Sequence, residues 1–117
     1  DLLSASDVFA LSSRWEGFPL VVGEAMSCSC MVGSTDAGGT REFLGDCGSL
    51  VPVSSPGRLS DELGVALSMD RVAREKAGAD ARSRVVALYS LAAAARKWIE
   101  IYEGAADSPD RNSYGGA

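Results

Sequence analysis

At 117 residues, 46% of them hydrophobic, the chain carries enough apolar material for one small packed domain and too much for a disordered one. A net charge of −5, without a basic patch or stripe, argues against nucleic acid or an anionic membrane surface as a partner. No apolar stretch approaches the length of a transmembrane helix, and no basic segment followed by a hydrophobic core opens the chain, so it reads as cytoplasmic.

The first element is the run Val8-Phe9-Ala10-Leu11, short, strand-prone and closed by polar Ser12-Ser13, which predicts a buried strand. A Glu16-Gly17-Phe18 turn follows, and Pro19, with its fixed φ and no N–H, suits the first position of a helix over residues 19–27. A helix start leaves N–H groups unpaired and carries partial positive charge, so this junction suits a phosphate, and Gly17 lets a ligand approach the backbone. Glu16 and Glu24 stand on either side, separated by seven residues. Carboxylates repel a phosphate, but an ionised Glu accepts hydrogen bonds, and its natural partners are the ribose and hexose hydroxyls that flank a diphosphate. Helical side chains lean toward the helix N-terminus, so Glu24 in the second turn is placed to reach a ligand that Glu16 touches from the loop.

Cys30-Met31-Val32 predicts a second strand, residues 34–39 a loop containing Gly38-Gly39, residues 40–44 a short helix, and residues 49–53 a third strand. Strands alternating with helices imply parallel crossovers and a Rossmann-like α/β sheet covered on both faces. Such sheets bind ligands at the carboxyl ends of their strands, where the Glu16 and Gly38-Gly39 loops both fall. Arg14 and Arg41 lie near these loops and read as solvated. Cys28, Cys30 and Cys47 are odd in number and the chain has no His, so reduced buried thiols are expected rather than disulfides or a metal site.

The second half is expected to be helical. Ser55 is placed to cap a helix opening at Pro56, with Leu59, Leu63, Ala66 and Leu67 on one face, and Asp70 to cap a charge-rich helix over residues 71–88 whose charges read as a solvated face. Gly78 inside it costs about 1 kcal/mol relative to Ala. Ser90 is placed to cap a last helix carrying Leu91, Ala95, Trp98 and Tyr102 at helical spacing. From Gly104 the composition turns to Gly, Asp, Ser, Pro and Asn, so a domain over residues 1–103 and a disordered tail over 104–117 are expected.

The stretch from Glu16 to Met26, E-G-F-P-L-V-V-G-E-A-M, resembles the E-G-F-[GP]-L-x-x-x-E-A-M signature of the group 1 (family 4) GT-B glycosyltransferases. Residues 5–13, 35–42 and 50–52 are similar to flanking segments of that family, and the resemblance spans roughly residues 5–102. It implies the second part of a GT-B C-terminal domain. It also implies sugar transfer from a nucleotide-diphosphate donor with retention of anomeric configuration and no obligatory metal. Glu16 would bind donor-sugar hydroxyls near the reacting carbon, Glu24 the ribose, and the backbone of Gly17, Phe18, Pro19 and Leu20 would line the diphosphate and sugar.

The chain opens at Asp1 in what would be the middle of such a domain. The expectation is therefore half a donor site, with the diphosphate-neutralising Arg and Lys, the acceptor-binding N-terminal domain and its histidine supplied by other parts of a parent polypeptide. Any attachment to the cytoplasmic membrane face would also come from those parts. Three alternatives stand beside this reading: a nucleotide-sugar epimerase of the same architecture, a non-catalytic remnant, and a glycoside hydrolase. The hydrolase fits poorly, because its two carboxylates must flank a scissile bond rather than share one loop-helix unit.

Overall fold

The computed structural model describes residues 2–106. After a 3₁₀ turn at Leu3–Ala5, the strands β1 (Val8–Leu11), β2 (Met31–Thr35) and β3 (Ser49–Val51) alternate with helices α1 (Leu20–Ser27) and α2 (Thr40–Leu44). Three helices follow: α3 (Pro56–Ser68), α4 (Arg71–Tyr89) and α5 (Leu91–Ala106). The strands form one parallel sheet in the order β1-β2-β3, with Leu11 opposite Ser34 and Thr35 opposite Val51. Helical crossovers return the chain to the same end of the sheet each time, which parallel pairing requires.

Successive strand residues face opposite sides, and β2 shows what each side meets. Val32 packs into a core with Val22, Met26, Phe43, Leu44, Ala81 and Val85, whereas a β-carbon at Gly33 would lie 2.8 Å from Leu63 of α3. Thus α1 and α4 cover one face and α3 the other, as the alternating pattern predicts. Each large apolar side chain buried there contributes about 1.5–3 kcal/mol.

The boundaries differ from expectation where polar chemistry intervenes. β2 runs on through Ser34 and Thr35, both buried, because their hydroxyls donate to the carbonyls of Thr35 and Ser13 respectively. β3 ends at Val51, since Pro52 has no N–H to offer the ladder and Ser54 turns the chain at φ 58°. Pro19 is the cap residue of α1 rather than its first helical residue; its ψ of 82° is not helical. Ser55 does not cap α3 with its side chain, which donates to the Val53 carbonyl instead. Asp70 and Ser90 do cap α4 and α5, accepting from the N–H groups of Ala73 at 2.9 Å and Ala93 at 3.2 Å. Leu67, expected on the buried face of α3, is exposed.

The charges of α4 are more than a solvated face. Arg84 donates to the carbonyls of Phe43 at 3.1 Å and Glu42 at 2.8 Å, and Arg82 to that of Ser27, so two arginines satisfy the C-terminal ends of α2 and α1. Arg74 pairs with Asp7 at 3.4 Å, while Arg71–Glu75 and Lys76–Asp80 are surface pairs one turn apart. Gly78 lets α4 approach α1, because a β-carbon there would stand 2.0 Å from the Ser29 carbonyl oxygen. Helix α5 continues to Ala106, three residues beyond the compositional boundary, and the remainder of the expected tail lies outside the described residues.

Candidate functional site

The carboxyl ends of β1 and β2 carry two loops, residues 12–19 and 36–39, and these loops are built against each other. Thr35 Oγ1 donates to the Ser13 carbonyl at 2.5 Å, and the N–H of Gly39 donates to the Gly17 carbonyl at 3.2 Å. Gly38 takes φ 55°, and a β-carbon on it would lie 1.6 Å from the Glu16 carbonyl oxygen. Only glycine fits there, on both counts. The Gly38-Gly39 pair is therefore the seat of the Glu16 loop rather than a free turn.

Glu16 is half-buried on this seat and accepts a hydrogen bond from Ser13 Oγ at Oε1, 2.5 Å away. Among the described residues Oε2 accepts none, so one carboxylate oxygen remains for a ligand hydroxyl. Gly17 is exposed, and Phe18 is half exposed with its ring 4.7 Å from Phe43 and 5.9 Å from Tyr89. Phe43 and Tyr89 stack at 4.3 Å, and Gly23 makes room for Phe43, since a β-carbon there would meet the ring at 2.5 Å. Phe18 thus belongs to an aromatic cluster joining the loop to α2 and α4. Gly23 and Phe43 thereby support the loop that carries Glu16 and Phe18, a role the sequence signals only through a glycine inside a helical pattern.

At the start of α1 the donors are partly used. Leu20 N–H donates to the Phe18 carbonyl at 2.9 Å and Val22 N–H to that of Pro19 at 3.0 Å, while Val21 N–H has no partner among the described residues. Pro19 itself is buried and Leu20 exposed. Glu24 is exposed one turn on, without a hydrogen bond or ion pair among the described residues. It lines a groove of about 890 Å³ between α1 and α5, whose walls include Phe18, Leu20, Phe43, Tyr89 and Trp98; Glu16 is not among them. The two carboxylates therefore flank the N-terminal part of α1 from different sides.

Neither nearby arginine is idle. Arg14 donates to Ser54 Oγ at 3.3–3.4 Å, and Arg41 pairs with Asp36, whose hydrogen bond and charge raise the guanidinium pKa further above its ordinary value. Cys28, Cys30 and Cys47 are free thiols, only Cys30 being fully buried. Burial pushes the Cys30 thiol up, aided by the neighbouring Cys28 and Asp7, and its S–H donates to the carbonyls of Leu3 and Ser6. No helix among the described residues is long and apolar enough to cross a membrane.

Residues 1–69 match the family model described as glycosyl transferases group 1. The chain is 31% identical over 107 residues to MMP alpha-(1->4)-mannosyltransferase of Mycolicibacterium hassiacum, covering 89% of this chain and 26% of that protein. It is 33% identical over 110 residues to alpha-maltose-1-phosphate synthase of Mycobacterium tuberculosis, covering 87% and 28%. Among solved structures, sucrose-phosphate synthase from Thermosynechococcus elongatus is similar with a TM-score of 0.77 and 29% identity, over 89% of this chain and 26% of that one. The chain thus spans about a quarter of the length of these relatives.

Proposed function

This chain belongs to the group 1 glycosyltransferases and has their GT-B α/β architecture, and from that premise we propose that it supplies half of the donor site of a retaining, nucleotide-sugar-dependent sugar transferase. The observation that carries this reading is Glu16, fixed at the carboxyl ends of the strands with one oxygen left to accept from a sugar hydroxyl. Across the start of α1, Glu24 is exposed and available to a ribose, and the unpaired Val21 N–H is a donor for a phosphate oxygen between them. As the sugar–phosphate bond breaks, positive charge develops on the sugar; Glu16 orients the ring and stabilises that charge, while the helix start eases the departure of the diphosphate. With Arg14 held by Ser54 and Arg41 by Asp36, the cations that neutralise the diphosphate come from a longer polypeptide, as does the acceptor site. No metal takes part in this scheme.

Relatives named as a mannosyltransferase and a synthase favour transfer over epimerisation. The test is product analysis with the longer protein that contains this chain, using a panel of nucleotide-diphosphate sugars with and without candidate acceptors. An acceptor-dependent product with the donor's anomeric configuration is expected, at a rate unchanged by EDTA. An epimerised nucleotide sugar formed without acceptor, or an inverted linkage, would contradict it.

A further inference from the structure

We propose that Ser13, itself held by Thr35, is a positioning residue for Glu16, an inference that rests on the donor-binding role proposed for that carboxylate. Ser13 Oγ donates to Glu16 Oε1 at 2.5 Å, and because a carboxylate only accepts, the direction of this bond is fixed by chemistry. The serine is not free to follow the glutamate. Its carbonyl accepts from Thr35 Oγ1 at 2.5 Å, and the same hydroxyl lies 3.4 Å from the Leu11 carbonyl. Thr35 is the buried last residue of β2, so the chain of hydrogen bonds runs from the rigid end of the sheet to the carboxylate.

Glu16 is anchored at its backbone as well, where Gly38 packs against its carbonyl and Gly39 holds the next one. What the backbone leaves undetermined is the rotamer of a long, flexible side chain. Ser13 settles that by occupying Oε1 and leaving Oε2 for the ligand, so the carboxylate is already aimed as charge develops on the sugar and less rotamer freedom is lost on reaching the transition state. A hydroxyl at residue 13 is therefore needed for full turnover, acting through Glu16.

The test uses the longer protein with Ser13→Ala, Ser13→Thr, Glu16→Ala and the Ser13→Ala/Glu16→Ala double variant, each checked for native circular dichroism. Ser13→Ala is expected to lower kcat roughly ten- to a hundredfold with KM changed less than about threefold, and Ser13→Thr to restore most of the rate. In the Glu16→Ala background, which has no acceptor for the Ser13 hydroxyl, Ser13→Ala should add no further loss. Should Ser13→Ala fail to fold, Thr35→Val against Thr35→Ser reads the same hydrogen-bond chain, with the loss expected only for Val. A wild-type rate in Ser13→Ala, or an equal loss in both backgrounds, overturns the positioning role alone. Wild-type turnover in Glu16→Ala overturns the donor-site reading and this inference together.

Discussion

Gly38 and Cys30 are each fixed by contacts with backbone carbonyls. At Gly38 a left-handed φ and a carbonyl 1.6 Å from any β-carbon coincide, so Gly38→Ala is expected to destabilise the fold by at least about 2 kcal/mol, read as a lowered urea midpoint. An unchanged midpoint would mean that the two loops are not seated as described. Cys30 is buried, its pKa is raised and its thiol is engaged by two carbonyls, so less of it is thiolate at any pH than of an ordinary cysteine. Iodoacetamide should label Cys28 and Cys47, both half-buried, well before Cys30; mass spectrometry finding Cys30 labelled first would contradict that packing. The Glu16 and Glu24 positions were legible from the sequence because the motif fixes them relative to a strand end and a helix start. The seat beneath Glu16 was not, since nothing local in Thr35 or Gly38 says which distant carbonyl it will meet.

Among the elements, β1 and α2 have the bounds that pattern and turn residues give them, and the parallel order follows from alternation, but β1, expected to be buried, is an edge strand of the described sheet, half-buried with Ala10 exposed. Some misses are local, as at Pro52 and Ser55, and others arise where contacts between elements override local preference. Ser34 and Thr35 read as loop by polarity, yet lie in a buried strand because their hydroxyls find carbonyls. Gly78 reads as a weak point in α4, yet it is where α4 meets the carbonyl of Ser29. Its substitution therefore carries the opposite sign to helix propensity: Gly78→Ala should lower stability by about 1–3 kcal/mol, where propensity alone predicts a gain of about 1 kcal/mol. A thermal melt decides between the two. The arginines of α4 were legible only as charge, because pairing with the helix ends of α1 and α2 requires knowing which helices are neighbours.

At the scale of the molecule, α5 is attached chiefly to α4 and leaves Trp98, Ile99, Ile101 and Tyr102 more than half exposed. Such a stripe makes the isolated chain prone to self-association, which sedimentation at rising concentration should detect and Ile101→Glu should reduce. The isolated chain is also expected to turn over no donor, because the start of an exposed helix contributes only about 0.3–1 kcal/mol toward holding a diphosphate. Whether Glu16 and Glu24 divide sugar and ribose between them is decided by initial-rate kinetics of the longer protein with each changed to Gln. Glu16→Gln should lower kcat by about 10²–10³, as loss of a transition-state contact does, while Glu24→Gln should mainly raise the donor KM. Small and equal effects from the two changes would contradict the account and leave the pair a structural feature of the loop and helix.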